Sequence, residues 1–284
     1  MSDVAVVTDS ASDLPDETRL KHGINVVPLT VRFGTEEHLE CDITREEFWT
    51  KARQAPPYPG TSQPSVGQFE QEFSRHVEQG RQVMCLTVTS KHSGTYNSAQ
   101  TAALQFPGDV VVFDTLSLSL AQGYMAIRAA DAAADGRSLA EIRTLLESLR
   151  ERTQFFFMLD TIEYLRRGGR ADRVMPLLER IVRMLSIKPI LKFVDGEISP
   201  LGASRSRDKA KARIVQELSA FAPAEMLFGI YTQGGEDGAR SVAQDLAEQI
   251  GYPPGEAMVG EAGPVLSCHA GPGVVAAAVV QKAA

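Results

Sequence analysis

The chain has 284 residues, enough for two domains of about 150 residues each or one large α/β domain. Apolar residues make up 43% and charged residues 23%, which permits a sizeable core and excludes wholesale disorder. With 29 Lys and Arg against 36 Asp and Glu the net charge is −7, which argues against broad contact with nucleic-acid phosphates.

The first half alternates between strand and helix. Val4 to Val7 is a short β-rich apolar run ended by Thr8-Asp9-Ser10. Ile24 to Phe33 and then Pro56-Pro57-Tyr58-Pro59-Gly60 interrupt the alternation, and the prolines predict an ordered loop leading into Thr61. A helix is predicted over Val66 to Gln79, a strand over Val83 to Val88, a helix over Thr95 to Phe106 and a strand over Val110 to Phe113. Two helices follow, Gly123 to Ala134 and Leu139 to Arg152. In the second, Leu139, Ile142, Leu145, Leu146 and Leu149 mark one face. Gln154 to Leu159 supplies a further strand. Short apolar strands between helices imply a parallel sheet covered on both sides.

Texture changes after that, which places a domain boundary near residue 160, with domains 1–160 and 161–284. A helix over Val174 to Leu185 is followed by strands Ile187 to Val194 and Glu197 to Leu201, joined by a hairpin at Asp195-Gly196. A basic helix (Asp208 to Phe221), a strand (Met226 to Tyr231) and a helix (Glu236 to Ile250) come next. Closing strands are predicted near Glu256 to Val259 and Val265 to Val280, so the second sheet is mixed.

No apolar run approaches the roughly 20 residues of a membrane span. The opening Met1-Ser2-Asp3-Val4 lacks the marks of a signal peptide, so a cytoplasmic location is expected, with at most transient membrane contact. Cys41, Cys85 and Cys268 lie too far apart for a Cys-x-x-Cys site and are odd in number. Walker-type, Gly-x-Ser-x-Gly and His-Glu-x-x-His motifs are absent, and the five histidines are scattered, so no metal or nucleotide cofactor is expected. Gly271-Pro272-Gly273-Val274-Val275-Ala276 matches a dinucleotide fingerprint, but the helix and second strand that would confirm it do not follow. It is expected to be a turn between two closing strands.

What remains is a set of hydroxyl-rich loops: Thr8 to Asp13, Thr61-Ser62-Gln63-Pro64-Ser65, Ser90 to Tyr96, and Asp114 to Ser117. In a parallel α/β sheet such loops gather beyond the carboxyl ends of the strands, where ligands bind. Hydroxyls and free N–H groups at a helix start can hold an anion, although capping alone explains any single loop. Gly94 stands out, because a missing side chain there opens the backbone to a ligand. His269 before the Gly-Pro-Gly turn and the arginines of Tyr164-Leu165-Arg166-Arg167-Gly168-Gly169-Arg170 complete the candidates.

At these residues the sequence resembles the DegV family, fatty-acid-binding proteins that include the binding subunit of bacterial fatty acid kinase. The likeness rests on five motifs in order. They are Thr8-Asp9-Ser10 with Asp13-Leu14, Thr61 to Ser65, Ser93-Gly94-Thr95-Tyr96 with Ser98-Ala99, Tyr164-Leu165 with Gly168-Gly169-Arg170, and His269 with Gly271-Pro272-Gly273. The resemblance implies a two-domain fold: an N-terminal three-layer α/β/α domain with a parallel sheet and a C-terminal two-layer α/β domain with a mixed sheet. It implies one long-chain fatty acid, such as palmitate, buried between them. Its carboxylate would be held by Thr61, Ser93 and His269, with Ser62 and Thr95 nearby. It further implies a carrier rather than an enzyme, whose acid is phosphorylated by a separate ATP-dependent kinase subunit that Arg170 and Arg205 would engage. The rival readings are a serine acyl hydrolase or acyltransferase using Ser93 and His269, and a non-catalytic lipid-sensing regulator.

Overall fold

The computed structural model describes residues 4–54, 56, 58–182 and 187–283. The chain divides into two compact units, one running through Glu151 and one beginning at Arg152.

The first unit is built from β1 (Val4–Asp9), α1 (Asp16–Lys21), β2 (Asn25–Val27), β3 (Thr30–Phe33), β4 (Glu36–Leu39), α2 (Arg45–Arg53), β5 (Pro59–Ser62), α3 (Val66–Val77), β6 (Gln82–Thr87), α4 (Thr95–Ala103), β7 (Val110–Asp114), α5 (Ser119–Ala134) and α6 (Leu139–Arg152). Four strands form a parallel sheet in the order β2-β1-β6-β7. The order reverses direction between β1 and β6, and loops beyond their carboxyl ends border the crevice used for ligands in such sheets. Ala5, Val7, Val83 and Cys85 pack against Phe69 and Phe73 of α3 and Ala99 and Ala102 of α4. The alternate residues Val4, Val6, Met84 and Leu86 are equally buried, and α5 packs on β1 and β6, so both faces are covered. A second, antiparallel sheet, β4-β3-β5, carries Thr61 and Ser62 on its edge strand, opposite Val31 and Thr30.

The second unit contains β8 (Thr153–Met158), α7 (Glu163–Gly168), α8 (Met175–Val182), β9 (Lys188–Val194), β10 (Glu197–Ser204), α9 (Arg207–Leu218), β11 (Ala224–Tyr231), α10 (Glu236–Ile250), β12 (Met258–Glu261), α11 (Pro264–Ala270) and β13 (Val275–Gln281). Its six strands run β10-β9-β8-β13-β11-β12, antiparallel except for β11 with β12. Phe156, Met158, Leu227, Val275, Ala277 and Val279 bury one face of the sheet under Ile214 and Leu218 of α9 and Val242 and Leu246 of α10. The other face is aromatic at one end, where the rings of Phe155, Phe157 and Phe193 meet at centroid distances of 5.5–6.2 Å. Two of these rings lie opposite small residues of β13: Phe157 faces Ala276 and Phe155 faces Ala278.

Three sequence expectations change. The strand at 153–158 pairs antiparallel with β13 and β9, so it belongs to the second sheet, and the division falls at Glu151 rather than near residue 160. Val265 to Ala270 is helical, because Pro264 takes a first-turn position and Gly271, at φ +74, ends the helix. The Gly-Pro-Gly turn therefore joins a helix to a strand. The hairpin at Asp195-Gly196 forms as expected, with both residues at positive φ, +49 and +78. Pro57 and residues 183–185 of the expected helix lie outside the described residues. Among the described residues no helix is long and apolar enough to cross a membrane.

Candidate functional site

Asp9 organises the crevice of the first unit. It ends β1, is fully buried, and accepts hydrogen bonds from the N–H groups of Val88 at 2.7 Å and Ala11 at 3.0 Å. Gln122 Nε2 on α5 donates to Asp9 Oδ1 and to Thr8 Oγ1, each at 3.1 Å. Asp13, held at φ +51, accepts from Ser119 Oγ at 2.5 Å. The first hydroxyl-rich motif thus ties β1 to α5 and to the loop after β6, which leads to Ser93.

Burial pushes the Asp9 carboxyl up to about 6, and its three hydrogen bonds only partly offset that rise. A folded-state value above the unfolded 3.8 means the folded protein binds more protons between the two. This contribution is therefore fully present below about 4 and is lost as pH rises through about 6, on the order of 3 kcal/mol. The expected result in urea unfolding is that the stability of wild type relative to Asp9→Asn falls between pH 4.5 and pH 7. A difference that stays flat over that interval contradicts the assignment.

Two of the sequence motifs meet in this unit. Ser93 Oγ lies 2.8 Å from Thr95 Oγ1 and accepts from the Thr95 N–H at 3.2 Å, so Thr95 orients Ser93. Thr95 is fully buried, whereas Ser93, Thr61 and Ser62 are half-buried. Gln63, directly after β5, donates from Nε2 to Ser98 Oγ at 3.3 Å. A Cβ on Gly94 would lie 2.2 Å from Gln63 Oε1. The space opened by Gly94 is thus taken by the protein's own carboxamide, not left for a ligand. Gln63 is the residue that sequence reasoning missed here, and its place inside a five-residue motif was the available signal.

In the second unit His269 occupies the last turn of α11. Its ring rests on α7, where a Cβ on Gly168 would stand 2.3 Å from Nδ1. The Tyr164 ring covers Gly271 in the same way, at 2.7 Å from an ideal Cβ. The Gly168-Gly169 and His269-to-Gly273 motifs are therefore two halves of one packed cluster. Arg166 and Arg167 both pair with Glu163, so the arginine-rich stretch carries less positive charge than its composition suggests. Arg170 is half-buried and Arg205 exposed. Among the described residues no cluster of His, Cys, Asp or Glu is arranged to hold a metal ion.

The family model described as "Uncharacterised protein, DegV family" matches residues 3–282. A DegV domain-containing protein of Deinococcus radiodurans is 32% identical over 281 residues, covering 97% of this chain and 98% of that one. A solved structure of a Thermus thermophilus DegV family protein, described by its fatty acid binding, is 32% identical with a TM-score of 0.89 over 99% of this chain and 100% of that one. A stearic acid-binding protein from Eubacterium ventriosum is 28% identical with a TM-score of 0.87 over 98% of each chain.

Proposed function

Because the chain belongs to the DegV family, we propose that it binds one long-chain fatty acid and presents the carboxylate to a partner kinase. The observation that carries the reading is the end-to-end likeness to proteins described as binding fatty acids. The chemistry of the side chains in each unit supports it. Thr61, Ser62 and Ser93 offer hydroxyl donors and His269 an imidazole N–H donor, groups that suit a carboxylate, with Thr95 orienting Ser93. Burying about 14 methylenes at roughly 0.8 kcal/mol each contributes up to about 11 kcal/mol before ordering costs. Each hydrogen bond to the carboxylate adds only about 1.5–3 kcal/mol. Acyl burial therefore sets affinity, and the hydroxyl and imidazole groups select for an acid.

The transfer step is assigned to other residues. Arg170 and Arg205 are suited to an acidic or phosphate-bearing partner surface, since guanidinium groups recognise such groups bidentately. The phosphate donor would be the partner's ATP, and the product an acyl phosphate.

Mass spectrometry of lipid extracted from the purified protein tests the binding step. A long-chain fatty acid is expected at up to one per chain, and Arg170→Ala is expected to keep it while slowing kinase-dependent acyl phosphate formation. Protein that carries no lipid and ignores added palmitate and oleate would sink the carrier reading.

A further inference from the structure

A carboxylate that belongs to none of the sequence motifs sits at the centre of the second unit's loops. Asp160 lies between β8 and α7. Its Oδ2 pairs with Nη1 of Arg207, the first residue of α9, and its Oδ1 with Nζ of Lys188 at 3.1 Å. Arg207 also donates through Nη2 to the carbonyl of Gly273 at 3.1 Å. Gly273 has φ +77, and a Cβ there would stand 2.3 Å from Asp160 Oδ2, so the carboxylate rests directly on the turn's backbone. Both partners of the Asp160–Arg207 pair are about a third exposed, so its charge attraction alone is modest. The geometry matters more. A forked guanidinium reaches two acceptors in different segments, which an ammonium does less well.

The far side of the turn is held too. Thr232 Oγ1 donates to the Gly271 carbonyl at 2.6 Å, and the Gly273 N–H donates to the Gln233 carbonyl at 2.8 Å. The segments 160–168 and 269–273 then touch at three places: Asp160 on Gly273, Tyr164 on Gly271 and His269 on Gly168. Anything that loosens the first contact acts on the third through a chain only five residues long, His269 to Gly273.

We propose that Asp160 and Arg207 are positioning residues for His269. They hold the Gly271–Gly273 turn, and with it the imidazole, in the orientation that meets a ligand's carboxylate. The proposal rests on the head-group role given to His269 above. It separates Arg207, which works inside the protein, from the exposed Arg205 two positions earlier.

The test uses the full chain with ¹⁵N-labelled histidine rings, the His269 signals being assigned from their loss in His269→Ala. In Arg207→Ala, checked as folded by thermal unfolding, the His269 ring resonances are expected to move. The affinity ratio of palmitate over methyl palmitate is expected to fall about ten-fold, with no further fall when Arg207→Ala is added to His269→Ala. Should Arg207→Ala not fold, Arg207→Lys carries the test. It keeps the pair with Asp160, loses the second acceptor, and is expected to move the same resonances. Unmoved ring signals in a folded Arg207 variant overturn the proposal whatever the lipid does, as does an additive loss in the double variant. Moved signals in a protein that binds no fatty acid leave the positioning intact and defeat the carrier reading instead.

Discussion

In Gly168→Ala, affinity for a free fatty acid is expected to fall about ten- to hundred-fold while the protein stays folded. Gly168 is the last residue of α7, so exchange to Ala favours the local helix by up to about 1 kcal/mol. Against that gain stands one contact. The new methyl would lie 2.3 Å from His269 Nδ1, far inside any tolerable separation, and the atom it meets belongs to a side chain able to swing away. The imidazole therefore yields rather than the helix. A hydrogen bond to a carboxylate is worth about 1.5–3 kcal/mol, which sets the size of the loss. Gly169→Ala is the control. Nothing lies within 4 Å of its ideal Cβ, but its φ of +61 makes any side chain cost about 1–2 kcal/mol of stability. Adjacent glycines should thus fail differently, one in titrations with palmitate and the other in thermal unfolding. Palmitate binding by Gly168→Ala at wild-type strength would remove His269 from the head-group site.

The contrast between these glycines explains how much of the molecule was legible beforehand. The parallel strands β1, β6 and β7 are legible as short apolar runs, and the helices α3 and α6 because their apolar residues repeat at fixed spacing and their starts carry capping groups. Ser65 with Gln68 forms a complete capping box at the start of α3. Thr44 with Glu47 forms another at α2, a signal that the sequence also carries. The small sheet β4-β3-β5 was not legible. Its strands have four residues each and contain Glu36, Glu37, Pro59 and Gly60, which weigh against strand formation locally, and pairing alone makes them strands.

The strand at 153–158 fails for a different reason. Its apolar run looks the same whether it joins a parallel or an antiparallel sheet, and its true neighbour is β13, far along the chain. The site shows the same division. Hydroxyls, histidine and glycines stood out as motifs, but the reason for each glycine was visible only in space: Gln63 over Gly94, Tyr164 over Gly271, Asp160 over Gly273. Asp160 and Arg207 gave no local signal, because an ion pair between distant segments has no spacing to read.

Ser93→Ala is expected to weaken fatty acid binding by about 1–3 kcal/mol, and on the carrier reading it leaves no catalytic deficit. A serine nucleophile needs a base within about 2.6–3.2 Å that is oriented by a third group. At Ser93 that distance holds the hydroxyl of Thr95, at 2.8 Å, and the Ser93 oxygen is further engaged by the Thr95 N–H. Such an arrangement directs a hydroxyl as a donor and does nothing to remove its proton. The loss of one hydrogen bond to the backbone at the start of α4 adds a stability cost of about 1 kcal/mol, so unfolding should be measured beside binding. His269→Ala should resemble Ser93→Ala, with affinity for palmitate falling more than affinity for its methyl ester. An acyl-enzyme reading makes the opposite forecast. Wild type would then give a pre-steady-state burst with a nitrophenyl ester and gain the mass of an acyl adduct, and Ser93→Ala would lose turnover by several orders of magnitude. A burst that disappears in Ser93→Ala would make this chain an enzyme. Its absence, with graded loss of palmitate binding, is the result the hydroxyl geometry calls for.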